Sequence, residues 1–259
     1  MIVRLVGSEM CIRDSYSNTH LKVLFKNHVS STNDYLNYQY ARDLFPLLVI
    51  TNNQRAARGR NQKTWVSLNQ KSISFSLCFK VNAKQLDLRY LSYLSCTCLL
   101  DAMNKNNCED IKIKWPNDLY HNDKKVSGIL IESLSIDKEI YVSIGVGINI
   151  DIPKNYSINR PYSNLDKNLD QALLVSLFCE ALFKNINQIN IDEIIKLYND
   201  NLFWYQKRVS IKDNNNFYEG KLLGINEQGQ LMIQNNGNIK RIDNICLLYT
   251  SPSPRDVRS

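Results

Sequence analysis

No stretch of this 259-residue chain approaches the ~18 consecutive apolar residues of a membrane span, and Met1 to Leu5 does not open the long apolar region of a secretory signal. Its seven cysteines (Cys11, Cys78, Cys96, Cys98, Cys108, Cys179 and Cys246) form an odd set with no CxxC pair. Most sit in apolar surroundings, so they read as buried reduced thiols rather than disulfides. The three histidines, His20, His28 and His121, lack metal-ligand spacing, and no metal site is expected. No helix-turn-helix, RNP or zinc-finger pattern accompanies the cations. These absences point to a cytosolic protein with no membrane segment. A composition 44% hydrophobic and 22% charged suits a globular fold.

What the chain does have is concentrated positive charge. The net charge is +7, and Arg55, Arg58, Arg60 and Lys63 fall within one loop of the stretch Val49 to Trp65, VITNNQRAARGRNQKTW. Neighbouring cations repel, so an ordered loop that keeps them together has anions to hold, phosphates above all. A solvated turn and a nonspecific nucleic-acid patch compete with that reading. Against the first stand the buried-strand pattern of Leu47 to Ile50 ahead of the loop and Trp65, a ring that prefers burial, behind it. A small anionic ligand suits the loop better than nucleic acid.

Taken in order, residues 6–15 and 247–259 have no periodicity and resemble strings that recur at the ends of unrelated predicted proteins. They are expected to lie outside the fold, which leaves +6 between them. Leu21 to Phe25 predicts a strand; Ser31, Thr32 and Asn33 precede a helix-like run, Asp34 to Arg42. One polar cap suffices for a helix, so three in a row suggest hydroxyls and amides offered to a carboxylate or a urea-like carbonyl. Ser72 to Phe79 alternates strictly as a strand, and Leu86 to Met103 has helical spacing. Ile111 to Trp115 leads into Trp115-Pro116-Asn117-Asp118, where proline ends the ladder. A turn at His121 to Asp123 and a strand from Lys125 to Glu132 would form a hairpin that brings Asp118 near Lys125. In Tyr141 to Asn149, Val142, Ile144, Val146 and Ile148 share one face; Ser143, Gly145, Gly147 and Asn149 share the other. Glycines weaken a strand unless something approaches closely, so this face is expected to be bare and to take a flat ligand. Helices are expected at about Asp170 to Ile186 and Asp192 to Leu202. Short strands follow from Arg208, with a boundary near Tyr205.

Five motifs now stand in sequence: Ser31-Thr32-Asn33; Gln54 with Arg58-Gly59-Arg60; Lys114-Trp115-Pro116-Asn117-Asp118; Lys125-Val126-Ser127-Gly128-Ile129-Leu130; and Gly145-Val146-Gly147-Ile148-Asn149. Each is weak alone, but their order and spacing closely resemble the biotin protein ligases from about Ser30 to Ile245. The resemblance implies an α+β fold: a mixed sheet flanked by helices, like class II aminoacyl-tRNA synthetases, at 16–205, and a small SH3-like β-barrel at 206–246. Residues 1–15 and 247–259 stay outside, with no DNA-binding domain ahead.

The resemblance further implies an ATP-dependent ligase that makes biotinyl-5′-AMP with Mg²⁺ and passes biotin to a lysine of a biotin carboxyl carrier protein. Ser31, Thr32, Asn33 and Gln54 would bind the ureido and valerate ends of biotin. Arg58, Gly59 and Arg60 would close over biotin and the adenylate phosphate, Lys125 would neutralise carboxylate and α-phosphate, and Asn149 would face adenine. Trp65, Asn117, Gly128, Gly145 and Gly147 complete the binding set. Lys125, Arg60 and Asp118 would be catalytic, Asp118 orienting the incoming lysine or taking its proton, or else orienting a metal or serving structure alone. The protein would be a monomer or homodimer. Ala57 and Gln62 stand where the family commonly has glycine, which bears on how the loop closes. A lipoate ligase, a basic nucleic-acid-binding module and an inactive homologue remain as alternatives.

Overall fold

The structure is a computed structural model and describes residues 2–6, 9–13, 20–36, 46–60, 63–81, 88–136, 139–156, 161–165, 168–186, 188–213 and 216–243. Strands β1 (Ile2–Val6), β2 (Glu9–Arg13), β3 (His20–Phe25), β4 (Leu47–Thr51), β5 (Ser72–Val81), β6 (Ile111–Lys114), β7 (Asp118–His121), β8 (Lys124–Ile136) and β9 (Glu139–Asn149) form one sheet. Its order is β1-β2-β3-β4-β5-β9-β8-β7-β6, and only β3 and β4 pair in parallel, so the sheet is mixed. β1 and β2 form a hairpin on the β3 edge, within the segment that its lack of periodicity placed outside the fold. Residues 247–259 lie outside the described residues.

The alternation in β5 and β9 sets the two faces. Ile73 pairs across the strands with Ile148, Phe75 with Val146 and Leu77 with Ile144, and all six are buried. Helices α2 (Leu88–Lys105) and α3 (Gln171–Ile186) are packed together, and Phe178 of α3 meets Phe75 edge-to-face with ring centroids 5.4 Å apart. Burying each such side chain contributes roughly 1.5–3 kcal/mol, so this face needs the helices. The opposite face carries Ser72, Ser74, Ser76, Ser143, Gly145, Gly147 and Asn149, and it is the face the site occupies.

Other elements differ from expectation in extent. Helix α1 is one short turn, Thr32–Tyr35; residues 37–42 of the predicted run lie outside the described residues. Helix α4 spans Ile191–Asp200. Strands β10 (Arg208–Asp213), β11 (Asn216–Ile225), β12 (Leu231–Asn235) and β13 (Asn238–Ile242) make a four-stranded antiparallel meander. Asn199 joins it to α4, its Nδ2 donating to the Ile225 carbonyl at 3.1 Å and its Oδ1 accepting from the Ile225 amide at 2.8 Å. No helix among the described residues is long and apolar enough to cross a membrane.

Candidate functional site

The β7–β8 hairpin builds one end of the site. Asn122 and Asp123 have φ of 48° and 60°, the left-handed pair that closes a tight hairpin, and Asp118 lies opposite Gly128. Lys125 and Gly128 are three residues apart and would point to opposite faces of a regular strand. The register slips, however: Leu119 pairs with Ser127 and Tyr120 with Lys125. Val126 is therefore the extra residue of a bulge, which puts Gly128 rather than Ser127 opposite Asp118, on the face that Lys125 shares through its pairing with Tyr120. The Lys125 ammonium donates to Asp118 Oδ1 at 2.5 Å, with the two side chains only 10% and 20% exposed. Gly128 makes room for the pair, since a Cβ there would lie 2.9 Å from Lys125 Nζ and 3.3 Å from Asp118 Oδ1.

Asn117 stands beside them. Its Nδ2 donates to the Ile129 carbonyl at 2.5 Å, and its Oδ1 accepts from Arg60 Nη1 at 3.3 Å. Burial lowers the Arg60 guanidinium from its usual value, and the nearby Asp118 carboxylate opposes that shift. The basic loop thus reaches the hairpin through Arg60.

The loop's other arginine faces the opposite end. Arg58 forms ion pairs with Asp34 and with Glu132, the latter at 2.9 Å. Burial would lower its pKa, but the hydrogen bond that it donates to Asp34 and the Glu132 charge raise it on balance. Gly59 separates the two arginines and lies against the returning chain at Lys63. Its amide donates to the Lys63 carbonyl at 2.6 Å, and a Cβ on it would sit 3.2 Å from that oxygen. Ala57 is buried and is not among the described residues with positive φ, so glycine's freedom is not required there. Gln62 lies outside the described residues.

At the Arg58 end, Ser31 alone caps α1, accepting from the Asp34 amide at 3.4 Å. Thr32 and Asn33 have other partners. The Thr32 amide and hydroxyl donate to Gln54 Oε1 at 2.7 and 3.2 Å. Ser76 Oγ lies 2.7 Å from Thr32 Oγ1 and 2.6 Å from Asn33 Oδ1, and Asn33 Nδ2 donates to Glu132 Oε2 at 2.7 Å. The Ser143 hydroxyl donates to Asn33 Oδ1 at 3.3 Å. Ser31, Thr32 and Asn33 are all buried, so this is a preorganised set of donors and acceptors rather than a solvated cap.

One expectation needs correction. The glycine face of β9 is covered, not bare: a Cβ at Gly145 would lie 2.5 Å from Asn33 Oδ1, and one at Gly147 would lie 2.5 Å from the Trp65 ring. The glycines form a trough that Asn33 and the indole fill. The Trp65 ring also carries Lys125 Nζ 5.4 Å from its centroid, and its buried Nε1 has no hydrogen-bond partner. Asn149 Nδ2 donates to the Lys125 and Ser163 carbonyls at 3.3 and 3.1 Å.

The site therefore draws together all the sequence-predicted residues along one sheet face, in two clusters either side of Trp65. It also includes some the sequence did not mark. Glu132 shares the face of Gly128 by period-two spacing, a signal that was available. Ser76 and Ser143 lie on the polar faces of their alternating strands. The stretch 161–165 had no signal, yet the Ser163 amide donates to the Lys125 carbonyl at 2.9 Å and the Leu165 amide to the Asn149 carbonyl at 3.0 Å.

Residues 25–149 of this chain, which hold every residue of the two clusters, match the biotin/lipoate A/B protein ligase family. Over these residues the chain is similar to that family. Similar proteins include the bifunctional ligase/repressor BirA of Bacillus subtilis, 27% identical over 75% of this chain and 63% of its own length. BirA of Escherichia coli is 26% identical over 82% of this chain and 69% of that protein. The chloroplastic biotin–protein ligase 1 of Arabidopsis thaliana is 33% identical over 50% of this chain. The chain thus spans under two thirds of the Bacillus relative, and the match to the Arabidopsis ligase covers 36% of that protein. Among solved structures, the biotin protein ligase of Aquifex aeolicus in complex with biotin and ATP superimposes with a TM-score of 0.71 at 24% identity, covering 88% of this chain and 99% of that one. The family's α+β fold with a mixed sheet is the fold seen here, and the meander fits a C-terminal β domain.

Proposed function

We propose that this chain is a biotin–protein ligase, which joins biotin to ATP as biotinyl-5′-AMP, releases pyrophosphate, and passes the biotinyl group to a lysine of a biotin carboxyl carrier protein. The observation that carries this reading is the pairing of the two clusters across Trp65. One offers neutral and acidic hydrogen-bonding groups suited to a urea-like ring. The other offers Lys125 and Arg60 for the anions.

A carboxylate attacking a phosphate brings two anions together, so catalysis here is positioning and charge neutralisation. Lys125 and Arg60 supply fixed cations at the hairpin end, while Ser31, Thr32, Asn33 and Gln54 orient the ring. Mg²⁺ would come with the nucleotide, held chiefly by its phosphates and water, because no group of three or more His, Cys, Asp or Glu converges among the described residues. For the transfer step, Asp118 accepts from an ammonium group already; it would orient the carrier lysine only by exchanging Lys125 for it. The meander is read as the SH3-like domain, the units as 16–205 and 206–246, and the compartment as cytoplasmic.

The test is incubation with ATP, labelled biotin and a biotin carboxyl carrier domain, with lipoate and a lipoyl domain in parallel. Covalent label from biotin alone is expected. Label from lipoate alone would make the chain a lipoate ligase. Absence of both, with salt-sensitive nucleic-acid binding indifferent to biotin, would mark a basic binding module.

A further inference from the structure

The turn that carries Asn117 and Asp118 is held from behind by groups that this chemistry does not use. The Pro116 carbonyl points into the helical layer, where the Tyr198 hydroxyl of α4 donates to it at 3.2 Å and the Cys96 thiol of α2 lies 3.9 Å away. Tyr198 is fully buried, and its ring meets Tyr93 of α2 edge-to-face with centroids 4.9 Å apart. A buried phenol needs a partner for its hydroxyl, and phenylalanine would fill the same space without that demand. Here the partner is the carbonyl one residue before the two side chains that meet Arg60 and Lys125.

The same two helices hold the meander. Asn199, next to Tyr198, bonds both backbone groups of Ile225, and the Tyr93 hydroxyl donates to the Gly229 carbonyl at 2.7 Å. Tyr93 and Asn199 thus fix the meander to the edge-to-face pair of rings that fixes the turn.

We propose that Tyr198 is a positioning residue for the adenylation step: its hydroxyl, by holding the Pro116 carbonyl, seats the turn so that Asn117 meets Arg60 and Asp118 meets Lys125. The proposal rests on the ligase reading for its kinetic consequence, and on the hairpin's own geometry for its structural one. The Ser31–Asn33 cluster is bonded to β5, β8 and β9 rather than to this turn, so substrate binding and turnover separate.

The variant is Tyr198→Phe in the full chain, which removes one oxygen and keeps the ring. Biotin-dependent ATP–pyrophosphate exchange should lose about five- to ten-fold in kcat, the equivalent of one neutral hydrogen bond, with KM for biotin moving less than about two-fold. Hydrogen exchange of the Ile129 amide, which donates to the Asn117 carbonyl at 2.9 Å, should speed up while the β5 amides keep their protection. An unchanged Ile129 amide overturns the proposal. So does an active variant with kcat within about two-fold of wild type, or a rise in exchange spread evenly over the sheet, which marks general destabilisation. Should the wild type support exchange with neither biotin nor lipoate, the ligase reading fails and Ile129 protection alone decides whether Tyr198 seats the turn.

Discussion

Replacing Lys125 by alanine has two consequences that a second substitution separates. The Lys125 and Asp118 side chains are 10% and 20% exposed, so deleting the ammonium strands a mostly buried carboxylate. Breaking such a pair from one side costs roughly 3–5 kcal/mol, toward the lower end here because Asp118 keeps some contact with water. For a chain of this size about 3 kcal/mol lowers Tm by roughly 6–12 °C. The catalytic consequence is distinct. Under the proposed chemistry the ammonium would offset charge as carboxylate meets phosphate, and loss of one preorganised group of this type should slow the chemical step by about 100- to 1000-fold. In Lys125→Ala/Asp118→Asn the stranded charge is gone, so most of the lost Tm should return while pyrophosphate exchange stays at the single-variant level. Melting by circular dichroism and ATP–pyrophosphate exchange, at biotin concentrations well above KM, read the two effects. Recovery of exchange together with Tm would refute the reasoning, because Lys125 would then act only by neutralising Asp118.

Gly147→Ala places a Cβ 2.5 Å from the Trp65 ring and should displace the indole; calorimetry is expected to show biotin binding lost, and intact affinity would put Trp65 outside the biotin site. Arg60→Gly removes the contact to Asn117 and should loosen the loop's hold on the adenylate by roughly 1.5–3 kcal/mol, about ten- to a hundred-fold in retention. The variant should then label a bystander such as serum albumin more than wild type at equal adenylate formation, and equal bystander labelling would remove the retaining role. Burial pushes the Cys78 and Cys179 thiols up to about 12, leaving roughly one in ten thousand as thiolate at pH 8; mass spectrometry after brief native alkylation should find both unmodified, and rapid modification of either would contradict the packing.

Much of the frame was legible because it depends on short-range pattern. Strict alternation in Ser72 to Phe79 and in Tyr141 to Asn149 marked two central strands and their polar faces. The turn residues at 121–123 marked the hairpin, and the ion pair of Asp118 with Lys125 followed from it. What stayed hidden depends on contacts between distant segments. The glycines of β9 announced a close approach but not its identity, since Asn33 and Trp65 come from elements 112 and 82 positions earlier in the chain. The bulge at Val126 leaves no trace in composition, yet without it Ser127 rather than Gly128 would lie opposite Asp118. The buried hydroxyl of Tyr198 looked like one more apolar position on a covering helix.

The two arginines of the basic loop differ in how readily each is freed, and that difference bears on which of them first meets an incoming anion. Arg58 is 46% exposed, and its partners Asp34 and Glu132 are each 35% exposed. Pairs so open to water contribute about 0–1 kcal/mol, so a phosphate needs little to draw Arg58 away. Arg60 is more deeply set and bonded to Asn117, and it is already beside the Lys125–Asp118 pair. Under the proposed chemistry Arg60 would then be the fixed cation and Arg58 the more readily released one. A site that must admit two anions would benefit from that division, since Arg60 is a cation already in place and Arg58 is one that an arriving anion can draw over at little cost.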